Sequence, residues 1–174
     1  MPRSHKPRKR YVPKRVNFDL VGRAIDCVAT LTTEQRASLL GPVRTAFEAF
    51  RTGRGSKAAW CDLADAMNVA EALTEARLAS DHVGTFERAQ SALASVHGRA
   101  QMRGSYTLYP AEITALDDAV FVHGIQLEHC SQGELQNAID AVKRRVHAAL
   151  AGNASPRARI CVPGHLGRAA AVTA

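Results

Sequence analysis

The sequence predicts an all-α protein. It reads as a compact bundle of five to six helices between a disordered basic N-terminal arm and an irregular C-terminal tail. Two observations point there. Apolar residues recur at helical spacing along most of the chain, and no long β-alternation interrupts them. Capping pairs, glycines and prolines punctuate that pattern at lengths suited to helices. A third observation sets the ends apart. The first sixteen residues hold seven cations (Arg3, Lys6, Arg8, Lys9, Arg10, Lys14 and Arg15) and no acid. The formal net charge is +7, so residues 17–174 sum to zero.

A chain of 174 residues has room for one domain with a real core. Aromatic residues make up only 5% of it, so Leu, Val, Ile and Ala must fill that core. The boundaries follow: an arm over 1–16, a helical domain over 17–152 and a tail over 153–174.

In the arm, like charges repel, and Pro2, Pro7 and Pro13 favour extended backbone. The body opens with Phe18, Val21, Ile25 and Val28 at helical spacing, predicting a helix over 17–31. Thr32 and Gln35 then form a capping box for the next helix. Gly41-Pro42 predicts a kink or restart within it, because proline removes a backbone donor and clashes one turn back. Val43, Phe47 and Phe50 continue the stripe. Gly53 suits the position just past a helix end, and Ser56 suits the next N-cap.

The helix from Lys57 to about Ala76 carries Trp60, Leu63, Met67, Ala70 and Leu73. Another starts near Ser80 or Asp81 and runs to Arg103, with Val83, Phe86, Leu93, Val96 and Ala100 inward and Gly104 as terminator. Ser105 to Tyr109 is a connector. Pro110 fits the first position of the following helix, with Glu112 near its positive end and Ile113, Leu116, Val120 and Leu127 inward. Ser131 and Glu134 make a second capping box. It opens a helix with the cleanest stripe in the chain, Leu135, Ile139, Val142, Val146 and Leu150. Gly152 closes it, and the tail beyond has Arg157, Arg159 and Arg168 with no acid.

The arm is the strongest chemical signal. Lys and Arg neutralise phosphates and release counterions, which gives sequence-independent affinity for nucleic acid. Arg51-Thr52-Gly53-Arg54-Gly55-Ser56-Lys57 is the second candidate, since cations beside glycines at a helix start favour anions. It is not a Walker A motif, and as an ordinary joint it needs no ligand. If it binds, its backbone amides together with Arg54 and Lys57 contact phosphate. Lys143-Arg144-Arg145 reads as a solvated helix end whose charge offsets the dipole.

His123, His129 and Cys130, with Cys161 and His165, invite a metal reading. The H-x5-H spacing does not put both rings on one helical turn, so no metal and no cofactor is expected. Asp62/Asp65 and Asp117/Asp118 read as solvated faces, and no catalytic residue or enzyme activity is expected. The four cysteines read as reduced, buried or half-buried thiols. No secretory core follows the basic start, and no apolar run is long enough to span a membrane. The expected location is cytoplasmic.

The arm MPRSHKPRKRYVPKRV, the segment RTGRGSKAAWCDLADAMNVAEAL and HCSQGELQNAI resemble the small basic accessory proteins of proteobacterial phages and plasmids. The Arg-over-Lys and Ala-rich composition fits that setting. The resemblance implies an accessory role in a mobile element and no residue roles. Two functions are therefore expected. The first is a nucleic-acid-binding accessory protein, for DNA or RNA, that contacts phosphates through the arm. The alternative is a protein–protein inhibitor or adaptor, such as a blocker of a host defence complex, that uses the helical body.

Overall fold

A computed structural model describes residues 27–76 and 78–151. The expected arm and tail, and residues 17–26 of the expected first helix, lie outside them. Among the described residues the architecture is all-α, as the sequence predicts. Five helices follow in order: α1 (Thr33–Arg51), α2 (Lys57–Glu75), α3 (Val83–Arg103), α4 (Pro110–His129) and α5 (Gln132–Leu150). A 3-10 turn, Ser80–His82, leads into α3.

The caps form as read. Thr32 Oγ1 accepts from the Gln35 amide, and Gln35 Oε1 accepts from the Thr32 amide. Ser131 and Glu134 make the same reciprocal pair at α5. Ser56 Oγ accepts from the Ala59 amide to start α2. Gly104, in the left-handed region at φ 68°, ends α3.

Helix α2 is the centre of the bundle and packs against each of the other four. Its sequence explains that position. Trp60, Leu63, Met67 and Leu73 supply bulk, while Ala59, Ala64, Ala66, Ala70 and Ala72 let neighbours approach from several sides. A helix apolar around most of its circumference belongs inside. One core cluster joins Phe47 and Phe50 of α1, Trp60 and Met67 of α2, Phe86 and Leu93 of α3, and Leu116 of α4. A second joins Leu40, Leu73, Leu127, Cys130 and Val142, seating α5.

Four local expectations need correction. The restart expected as one alternative at Pro42 does not occur, and helix α1 runs through it as one element. Leu40, Val43, Phe47 and Phe50 lie on its buried side across that point, and their packing outweighs the roughly 3 kcal/mol that an interior proline costs. Val28 is exposed rather than inward. The chain leaves helical geometry at Ala29, whose carbonyl accepts from the Gln132 amide while Thr30 bridges Ser131. Val83 is half-exposed, because the 3-10 turn makes it the first residue of α3. The α5 stripe is only partly covered. Val142 is buried, Leu135, Ile139 and Val146 are half-buried, and Leu150 is exposed. Helix α5 packs chiefly on α2, and an open groove of about 560 Å³ separates Leu135 and Ile139 from Leu31 and Leu39.

No helix among the described residues is long and apolar enough to cross a membrane.

Candidate nucleic-acid interface

Of the residues expected to contact nucleic acid, Arg3, Lys6, Arg8, Lys9, Arg10, Lys14 and Arg15 lie outside the described residues. Arg54 and Lys57 are described, and both are exposed. They flank the joint between α1 and α2.

That joint is built mainly as a helix stop. The Thr52 amide donates to Glu48 O, the Gly53 amide to Phe50 O and the Arg54 amide to Ala49 O at 2.7 Å. These amides satisfy α1's last carbonyls, so they are not free to cradle an anion. Gly53 takes φ 71°. The Arg54 side chain remains outside, with Nε donating to Thr52 Oγ1 at 3.1 Å. The amides of Thr52, Gly53 and Arg54 are thus closed to an anion, and a phosphate here would meet the Arg54 and Lys57 side chains and the first amides of α2. Gly55 is required by close approach: a Cβ there would lie 2.3 Å from Tyr106 O and 2.7 Å from the Phe50 ring. Gly55→Ala should therefore destabilise the fold by about 1–3 kcal/mol, since the loop must lift off the α3–α4 connector. A denaturant midpoint unchanged from wild type would contradict this.

Arg54 does not stand alone. Arg44 and Arg51 lie two turns apart on α1 and line one side of a cleft of about 440 Å³ between α1 and α4. Phe47, Val120 and Gly124 also line it. Phe121 is 71% exposed, and Ile125 sits one turn beyond. Arg44 and Arg54 share a second, adjoining depression. Arg51 is held by Glu48, with Nε–Oε2 at 2.9 Å. Arg44 has no carboxylate within 4 Å among the described residues. The sequence did carry a signal for this face. Phe121 is a large aromatic off the α4 core stripe, and Arg44 and Arg51 repeat at one heptad.

The cationic end of α5 behaves differently from the expectation. Arg145 pairs with Glu71 and Glu75 of α2, so it ties two helices together instead of facing solvent alone. Lys143 and Arg144 stay exposed. A second clamp was not read at all. Arg99 of α3 grips Glu112 of α4 in a fork, with Nη1–Oε1 at 2.9 Å and Nη2–Oε2 at 2.5 Å. It also donates to Thr107 O and lies over the Tyr109 ring, 4.3 Å from its centroid.

Of the suspected metal ligands, Cys161 and His165 lie outside the described residues. His129 is exposed, while His123 and Cys130 are buried in different surroundings. Among the described residues no group of three or more His, Cys, Asp or Glu side chains is placed to hold a metal ion. Burial raises the thiol pKa of Cys61 and Cys130. Cys27 is exposed, contrary to the expectation of a buried or half-buried thiol, and its backbone lies close over Gly133 where α5 begins, while Cys161 lies outside the described residues. Asp62, Asp117 and Asp118 are exposed as expected, and Asp65 is half-buried.

His123 belongs to a buried polar knot. Gln126 Nε2 reaches Ala70 O, Thr74 Oγ1 and Leu78 O, which leaves its Oε1 to accept from His123 Nδ1 at 3.3 Å. Burial pushes the His123 pKa down to about 4, against the smaller opposing effect of Gln126. A folded-state value below the unfolded one means that the unfolded chain binds the extra proton. Stability is therefore complete above about pH 6.5 and is lost as pH falls toward 4. The loss should be about 3 kcal/mol. His123→Asn keeps a donor near Nδ1 and should flatten stability over that window. An equally steep curve in His123→Asn would assign the acid sensitivity elsewhere.

No protein-family model, curated protein or solved structure matches the chain.

Proposed function

We propose that this is a nucleic-acid-binding accessory protein whose arm makes the phosphate contacts. One observation carries the reading: the entire net charge of +7 is concentrated in residues 1–16. Such a segment is an electrostatic footprint for a polyanion. The exposed Arg44, Arg54 and Lys57 extend cationic surface onto the helical body. The setting proposed is a phage or plasmid of a bacterium, and the compartment the cytoplasm. The deciding experiment measures binding of the full chain and an arm-deleted chain to a generic duplex and a generic single strand across a salt series.

The competing reading is an adaptor or inhibitor that recognises a protein through the helical body. The exposed Phe121 and Ile125 favour it, because a clustered apolar face is a usual docking surface. It predicts no affinity for nucleic acid at low salt and a protein partner retained after the arm is removed.

A further inference from the structure

We infer that residues 17–26 of this chain fill the open groove between α1 and α5, and that this seat fixes where the basic arm leaves the body. The docking stands on the groove itself, and its consequence for the arm rests on the nucleic-acid reading. Leu31, Leu39, Leu135 and Ile139 line the groove, and Leu39 is 37% exposed there. Leu39, Leu135 and Ile139 also border an adjoining hollow of about 220 Å³ that reaches Val43 of α1 and Asp62 and Asp65 of α2. The two together make one apolar trough with acids at its far end.

The point where the described chain begins names the occupant. Cys27 lines the groove, and its carbonyl oxygen and Cβ lie 2.7 and 3.1 Å from where a Cβ on Gly133 would stand. Glycine at 133 lets the chain enter that close to α5. Cys27 and Val28 are helical. Just before them, Phe18, Val21 and Ile25 repeat at helical spacing. Leu20 and Ala24 precede Cys27 by seven and three positions, on its own side of such a helix. The segment therefore has two adjoining apolar flanks, one for Leu135 and Ile139, the other for Leu31 and Leu39. Val28 does not line the groove and is exposed, so the contact starts at Ile25.

Length and charge set the direction. As a helix, residues 17–26 span about 15 Å, and α1 rises about as far from Thr33 to Val43. A segment running back from Cys27 beside α1 thus ends near Val43, level with Asp62 and Asp65. The residues that arrive there next are Val16, Arg15 and Lys14, and the carboxylates favour their approach. Lys57 begins α2 only five residues before Asp62, and Arg54 stands in the loop before it. The arm then emerges at the end of the body where Arg54 and Lys57 are exposed, and its cations join theirs in one surface for phosphate.

Trypsin reads the docking directly, because Arg23 lies within the segment and Arg15 before it. In the full chain, cleavage after Arg23 should be about 10-fold slower than after Arg15, as for a site open a tenth of the time. Val21→Asp and Ile139→Asp should each raise it to the Arg15 rate, with helical circular dichroism and Trp60 emission unchanged. Should Ile139→Asp unfold the body, Val21→Asp still decides, since it acts from the segment itself. Equal cleavage after Arg23 and Arg15 in wild type overturns the docking. Slow cleavage that Val21→Asp does not accelerate also overturns it, because the segment then sits elsewhere. Protection that vanishes on dilution, with dimers in sedimentation, assigns the groove to a second copy and overturns docking within one chain. None of these readouts involves nucleic acid, so a docked segment in a chain that binds no nucleic acid overturns the arm reading alone. Where the chain binds duplex, Arg54→Gln should weaken binding in wild type and have little further effect in Val21→Asp. An equal loss in both backgrounds overturns the shared surface.

Discussion

Removing residues 2–16 should abolish most of the affinity for nucleic acid and leave the helical body folded. Among the described residues, every buried member of the two core clusters lies between Leu31 and Val142, and in the sequence the apolar stripe starts only at Phe18. Helical circular dichroism and the melting transition should therefore persist. For the intact chain, seven cations engaging duplex DNA predict a slope of log K against log salt of about −6, at roughly −0.9 per phosphate. Raising salt from about 50 to 200 mM should then weaken binding by about 10³–10⁴-fold. Deletion should remove most of that slope. Neutralising Lys143, Arg144 and Arg145 should affect binding less. Arg145 is already engaged with Glu71 and Glu75, so its loss should appear in stability instead. A deleted chain that retains both its affinity and its salt slope would transfer the binding site to the body.

Trp60→Ala should cost about 3–5 kcal/mol of stability. Trp60 is the single tryptophan and sits at 4% exposure on the central helix. Its Nε1 donates to Leu93 O at 2.9 Å, and its ring stacks on His97 with centroids 4.6 Å apart. Truncation therefore empties a cavity shared by α2 and α3 and removes a buried hydrogen bond. Trp60→Phe should cost less, since much of the ring volume remains. Wild-type emission should be blue-shifted, moving red on unfolding. A loss below about 1 kcal/mol on truncation would place Trp60 in a site that collapses without penalty.

Much of the helical layout was legible because it is written in local chemistry. Thr32–Gln35, Ser56, Pro110 and Ser131–Glu134 each satisfy helix-start donors or suit a first turn within a few residues, and the helices begin where they stand. The local pattern did not decide whether the helix would restart at Pro42, and it does not restart. There an intrinsic preference met a buried stripe running through it, and packing prevailed. The candidate interface was legible only in part. Arg54 and Lys57 share one loop and helix start, so sequence proximity exposed them. Arg44 and Phe121 are far apart in sequence and become neighbours only when α1 packs on α4.

The sequence by itself determined the all-α class, the starts of α1, α2, α4 and α5 and the concentration of charge in one arm. Each depends on contacts within a turn or on simple composition. Only the tertiary structure decided that α2 lies at the centre and that α5 is half covered. It also turned His123 into a neutral core residue and Arg145 into a clamp. Those outcomes depend on which surfaces meet across the bundle. Burial and pairing between distant residues are properties of the packed molecule, and no local pattern contains them.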